Sequence, residues 1–216
     1  DKLIEDSVRK PGTALWDEMK RDARRPFDIG GDGIGMLDAF TRHLQGTNIQ
    51  IHLIGHSTGA LVHGHLLGAF DQPLNDKTVT SAHLMAPACT VKFYEECYKP
   101  WLGSSTPGPA PHPKLDIYNL TDALELADNV AGVYRKSLIT LVSRAFERGK
   151  DVPVLGIQKF NTDLREQEFI YSDGSPGRTS SSTHGGFDNN ADTMNSILKT
   201  ILGHSPIAGF TDEELR

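Results

Sequence analysis

Apolar residues recur along this chain with two alternating periods, and the switches between them divide it into elements. Residues 1–28 carry Leu3 and Val8 before Pro11, then Leu15, Trp16 and Met19 after it, which predicts helix. The glycine-rich break "DIGGDGIG" follows, and Met36, Leu37, Phe40 and Leu44 then mark one face of a short helix. "NIQIHLI" is a compact β-branched run, long enough for a buried strand and too short for a separate helix. From Thr58 to Ala69 the pattern returns to helical spacing, with Leu61, Val62, Leu66 and Leu67 as apolar positions.

After the polar break "DQPLNDK", the segment "TVTSAHLMAPA" reads as a second strand. "EECYKPWLGSSTPGPAPHP" is rich in Pro, Gly and Ser and reads as a long loop. "KLDIYNL" is a third strand and leads into "TDALELADN". Over 129–148, Val130, Tyr134, Leu138, Leu141, Val142 and Ala145 recur at helical spacing up to Gly149, predicting the clearest helix of the chain. "VPVLGIQKF" is a fourth strand, which "EFIYS" extends across a polar interruption. "DGSPGRTSSSTHGGFDNN" is a flexible-looking loop, and "ADTMNSILKTILG" a closing helix. Strands thus alternate with helices, the pattern of an α/β fold with a mostly parallel sheet. A single domain is expected over 1–216, with residues 1–29 as a helical lead-in.

Composition narrows the function classes. With 216 residues, 38% of them hydrophobic, the chain can bury one sizeable core. Its 22 Lys+Arg against 28 Asp+Glu give a net charge of −6, which argues against a nucleic-acid partner. No apolar run approaches a membrane span, and "DKLIEDSVRKPG" lacks the basic-then-apolar order of a signal peptide. Cys89 and Cys97, the only two cysteines, have neither zinc nor CxxC spacing. Reduced thiols and a cytoplasmic location are the expectation. "GGDGIG" has no strand before it, so a helix-entry loop is expected there rather than a dinucleotide site, and no cofactor. Neither HExxH nor paired acidic and histidine ligands occur, so no metal is expected.

The chemistry concentrates at Gly55-His56-Ser57-Thr58-Gly59, between the first strand and the helix after it. A serine hydroxyl attacks poorly unless a base takes its proton and its geometry is fixed in advance. A sharp strand-to-helix turn can supply that geometry, with Gly55 and Gly59 removing the Cβ atoms that would clash as the chain passes itself. Ser57 is then the candidate nucleophile. The helix that starts behind it aims backbone N–H groups at the place where an oxyanion would form.

These residues in this context resemble the nucleophile elbow of the α/β-hydrolase superfamily. The resemblance implies a base and an acid in the chain order Ser, Asp or Glu, His. His184, in the loop before the closing helix, meets the placement of the base, with Gly185 and Gly186 behind it. Asp122, two residues past the third strand, is the expected acid; Asp128 is the alternative, otherwise explained as an N-cap of the long helix, and Glu125 between them is expected to be solvated. His56 is expected to point away from the site. The resemblance further implies acyl transfer to Ser57, an oxyanion held by the Thr58 backbone N–H, and hydrolysis by water. A small ester or lipid is the expected substrate; an acyltransferase with the same triad, or a non-catalytic binding module on the same fold, are the alternatives.

The resemblance covers about residues 30–204 and departs from the family upstream. Only 54 residues precede Gly55, without an HGG-type oxyanion segment. The expectation is that strands before the elbow belong to a longer chain, whose absence would leave a sheet edge uncovered.

Overall fold

The computed structural model describes residues 1–44, 46–69, 79–102, 113–164 and 169–216. Four strands form one sheet in the order β1-β2-β3-β4, every neighbouring pair parallel. They are β1 (Ile51–His56), β2 (Val79–Met85), β3 (Lys114–Leu120) and β4 (Phe169–Ser172). The helices are α1 (Lys2–Arg24), α2 (Asp32–Leu44), α3 (Gly59–Ala69), α4 (Val91–Leu102), α5 (Asp122–Ala127), α6 (Leu138–Leu141) and α7 (Ala191–Leu202). Parallel neighbours require crossovers, and the helices between strands supply them, so the chain is of the α/β class. Among the described residues no helix is long and apolar enough to cross a membrane.

Strand alternation sends side chains to two unlike faces. One carries Ala82, Leu84, Leu115, Ile117 and Phe169, which join Ala60, Leu61 and Trp16 from the helices in the main core. The other carries Met85, Tyr118, Leu120 and Ile170, packed against Phe187 and Ile197 of the C-terminal segment. Beside that second cluster runs a polar ladder. His52 Nδ1 lies 2.7 Å from Ser81 Oγ, which lies 2.8 Å from His83 Nε2, whose other ring nitrogen is 3.3 Å from Asp116 Oδ2. Arg178 Nη2, 3.1 Å from Asp116 Oδ1, and Lys114 Nζ, 3.3 Å from Oδ2, close the ladder. Burial alone would raise the Asp116 carboxyl, but the adjoining His83 ring and the two cations outweigh it and hold the group well below the usual carboxylate range.

β1 is an edge strand among the described residues, and its Ile54 is 41% exposed. It is therefore not the fully buried strand that its β-branched run predicts. In α2 only Leu37 and Leu44 of the predicted apolar face are buried; Met36 and Phe40 are exposed.

Three further expectations are corrected. "EECYKPW" belongs to helix α4, where Tyr94 and Tyr98 stack in the core and the Tyr98 hydroxyl donates to Ala60 O at 2.6 Å. Pro100 falls near the end of that helix, so its ring does not prevent the preceding turns; the rest of the expected loop, 103–112, lies outside the described residues.

The long helix expected over 129–148 is a turn followed by a short helix. Ala131 (φ 53°) and Gly132 (φ 70°) are left-handed, and Val130 bridges back to Tyr134. Ser137 then leaves in an extended conformation and accepts the Thr140 N–H at 3.2 Å as the N-cap of α6. One π-helical turn, Val142–Phe146, continues it.

"VPVLGIQKF" is not a strand. Val154 makes only an isolated antiparallel bridge to Thr90, and the Leu155 carbonyl accepts side-chain amides from Asn119 at 2.9 Å and Asn161 at 3.0 Å. Those amides occupy the acceptor a sheet ladder would use, and the fourth strand is formed by Phe169–Ser172 instead.

Helix α1 lies across the main core and is fastened to the π turn. The Trp16 indole N–H donates to Glu147 Oε1 at 2.7 Å, Lys20 bonds both Glu147 oxygens, and the Thr13 hydroxyl donates to Ala145 O at 3.2 Å. The lead-in is thus part of the packed body, and Trp16 is only 3% exposed.

Candidate active site

The site forms at the carboxyl ends of the strands, where open parallel sheets place their ligands. Ser57 follows β1 directly and has φ 53°, a left-handed backbone that L side chains rarely adopt. Its N–H donates to Met85 O at 2.9 Å, and its carbonyl accepts the N–H groups of Ala88 at 3.0 Å and Ala60 at 3.3 Å. Three long-range or turn-closing hydrogen bonds therefore hold the strained residue in place.

The two flanking glycines play unequal parts. A Cβ on Gly55 would lie 2.9 Å from the His63 ring and 3.1 Å from the Gly59 carbonyl carbon, so close approach requires glycine there. A Cβ on Gly59 would meet nothing within 4 Å, which corrects the expectation that both glycines relieve a clash.

His184 opens a single 3₁₀ turn, His184–Gly186, beyond β4. Its Nε2 lies 3.1 Å from Ser57 Oγ, across 127 residues of sequence. Phe187, fully buried in the second core cluster, anchors the turn from below. Gly186 packs so tightly that a Cβ would come 2.8 Å from Thr183 Oγ1 and 2.9 Å from Ser181 Oγ. The loop before His184 has polar anchors of its own. Ser172 Oγ donates to Ser181 O at 2.6 Å, Thr179 and Thr193 hydroxyls meet at 2.7 Å, and Arg178 reaches Asp116. Lacking apolar side chains, it is nevertheless tied to the body at Thr179 and Ser181, both buried.

The two candidate acids separate clearly. Asp122 starts α5 and its Oδ1 accepts the Lys159 backbone N–H at 3.2 Å, while its own N–H donates to Gln158 Oε1 at 2.9 Å. It is not brought to His184. Asp128 ends α5 instead of beginning a helix; its Oδ1 accepts the Asn129 N–H at 2.8 Å and its Oδ2 accepts the His184 backbone N–H at 2.8 Å. His184 Nδ1 is buried and has no hydrogen-bond partner. Burial, first, and the His56 ring, second, push the His184 imidazole down to about 4 against the opposing pull of Asp128.

Glu125 is buried rather than solvated. The Ser137 hydroxyl donates to its Oε2, while Oε1 is buried without a partner. Burial pushes this carboxyl up to about 8, assisted by the charges of Asp128 and Asp122 and opposed by Ser137. His56 also departs from expectation: its Nε2 lies 2.8 Å from the His184 carbonyl, its Nδ1 3.7 Å from Asp188, and the two imidazoles stand 5.5 Å apart. Position alone gave no signal for that contact, because it is made to a backbone carbonyl 128 residues away.

An apolar cavity of about 250 Å³ opens onto Ser57, Thr58 and His184. The Thr58 N–H makes no hydrogen bond among the described residues and is available to a ligand. A larger groove of about 610 Å³ runs along the other side of α1, lined by Asp17, Lys20, Arg21, Arg24 and Arg148, and includes none of these site residues. Its cations are paired with neighbouring carboxylates, so of these two cavities it is the smaller that joins space to Ser57 and His184. Among the described residues no three His, Cys, Asp or Glu side chains gather as metal ligands, and Cys89 and Cys97 are free thiols.

Comparison with family models, curated proteins and solved structures returns no match, so the functional reading rests on this geometry.

Proposed function

We propose that the chain is a serine hydrolase of the α/β-hydrolase type, cleaving carboxylic esters through an acyl-enzyme on Ser57. One observation carries the reading: a left-handed serine at a strand-to-helix turn stands 3.1 Å from the Nε2 of a buried histidine. That is the distance at which the hydroxyl donates to the base that will take its proton.

Ser57 Oγ attacks the ester carbonyl carbon as its proton passes to His184 Nε2. The carbonyl oxygen becomes an oxyanion facing the Thr58 N–H. His184 returns the proton to the departing alcohol, leaving the acyl group on Ser57. Water then repeats the sequence and releases the carboxylic acid. Asp128 is the acid that supports His184 in this reading. It holds the backbone of the base, and its charge stabilises the imidazolium that forms.

The test is labelling by a fluorophosphonate probe, with hydrolysis of p-nitrophenyl esters beside it. Wild-type chain should be labelled at Ser57, and Ser57→Ala should lose both signals while remaining folded, a loss of about a million-fold in turnover for a comparable triad. Turnover within a few-fold of wild type in that variant would remove Ser57 from the mechanism.

A further inference from the structure

The cavity beside Ser57 is walled by apolar surface from two sides. Leu15, Trp16 and Met19 come from α1, and Ile139, Val142 and Phe146 from the short helix and π turn facing it. Ala88 closes it near the strand ends. Apart from Ser57, Thr58 and His184, nothing that lines it offers a free polar group: the Trp16 indole N–H is already given to Glu147. An ionic or strongly hydrated substrate group would therefore be stripped of water there without replacement.

Ser57, Thr58 and His184 supply the free polar groups of the lining, and the other lining residues are apolar or, in Trp16, already paired. Leu15 is 62% exposed, Leu138 40% and Met19 39%, which is high for large apolar side chains that surround an opening. Helix α1 comes close enough to the π turn that a Cβ on Gly12 would stand 2.2 Å from the Phe146 ring. The cavity is a slot bounded by these two elements.

Resting on the serine-hydrolase reading, we infer that this slot receives the acyl chain of the substrate, an uncharged aliphatic chain of roughly six to eight carbons, since its 250 Å³ is about eight times the ~30 Å³ that one water occupies in the liquid and a methylene is of similar size. The acyl group stays bound to Ser57 between the two half-reactions, so it is the part that gains from an enclosed apolar site. The alcohol must take a proton from His184 and leave before water can enter, which an enclosed slot would hinder.

Two measurements test this. The first is kcat/KM for p-nitrophenyl esters from acetate to dodecanoate below their aggregation concentrations, with fluorophosphonate labelling run in parallel. It should rise roughly fourfold per methylene up to about eight carbons and then level or fall. In Met19→Trp, a change at the exposed rim, the optimum should move at least two carbons shorter. The second uses Ser57→Ala with Trp101→Phe, where Trp16 is the remaining indole: methyl octanoate should shift its emission and methyl acetate should not. Labelling at Ser57 with a flat acyl series, or with the gain appearing instead when the alcohol of an acetate ester is lengthened, would overturn the slot's assignment. Length-dependent binding without labelling or turnover would overturn the hydrolase reading while leaving the slot a site for an aliphatic chain.

Discussion

Asp128 grips His184 by its backbone: one carboxylate oxygen accepts the His184 N–H at 2.8 Å, while the imidazole Nδ1 two bonds beyond Cβ is buried without a partner. The carboxylate thus fixes where His184 stands and acts on its ring by charge through space. In a catalytic serine site the acid usually bonds the ring directly.

From this follows a contrast between two carboxylates six residues apart in sequence. Asp128→Asn should lower kcat/KM by roughly a hundred- to ten-thousand-fold, because both the grip and the charge are weakened. Asp122→Asn should cost less than about tenfold, since its carboxylate serves the Lys159 N–H and not the base. Steady-state kinetics on the two variants checks this, with circular dichroism to establish folding. Equal losses would mean that neither contact governs the base.

His184, pushed down to about 4 by burial, should remain neutral and able to accept a proton well below the ordinary imidazole range. The acid limb of kcat/KM should then fall near pH 4–5 rather than near the unperturbed value of about 6.5. The same shift bears on stability. Between pH 6.5 and 4 the unfolded chain binds the proton and the folded chain does not, so this contribution is lost as pH falls through that window. Half-maximal kcat/KM near pH 6.5 would show instead that the ring is hydrated.

Glu125 has the opposite sign. Its folded-state value of about 8 lies above the ordinary value of about 4.3, so the folded chain holds the proton that the unfolded chain has released. Stability from this group is present below about pH 4.5 and is lost as pH rises through 8. Glu125→Gln keeps an acceptor for the Ser137 hydroxyl and removes the titration. Between pH 6 and 9 the parent should lose several degrees in Tm that the variant keeps, at about 2–4 °C per kcal/mol for a chain of this size. Parallel melting curves across that range would count against a buried, protonated Glu125.

Asp116 ties the sheet to the loop that carries His184. Asp116→Ala would leave the buried His83 ring without its partner, while Arg178 and Lys114, both about half exposed, turn to water; it should destabilise the fold by about 1–3 kcal/mol. Arg178→Ala should cost less, because Lys114 still pairs the buried carboxylate and the lost side chain is about half exposed. Urea unfolding of both variants reads the difference, and a reversed order would contradict the ladder.

Legibility in the sequence followed how local each feature is. The turn at Ser57 depends on a strand, five residues and a helix in unbroken succession, so "IQIHLIGHSTGALVHG" announces it. The β3 segment "KLDIYNL" is a strand over its whole length, because both faces of it are buried. His184 could be placed by chain order because the loop after β4 offers one histidine before the last helix. Which carboxylate meets His184 could not be placed, since Asp122, Glu125 and Asp128 lie within seven residues and the winding of α5 decides it. Helical spacing misled over 129–148, where a left-handed turn and a short helix together satisfy the same period. Nor does local pattern foretell that Trp16 crosses to Glu147, 131 residues away, and so walls the slot.

The φ of 53° at Ser57 bears on what breeding the protein for robustness would produce. An L residue held in this region carries a penalty of about 1–2 kcal/mol that glycine escapes. Ser57→Gly should therefore melt a few degrees above Ser57→Ala while being equally inert toward esters. A selection that rewards heat tolerance and ignores turnover would drift toward glycine at this one position. The sturdiest members of such a library would be its silent ones.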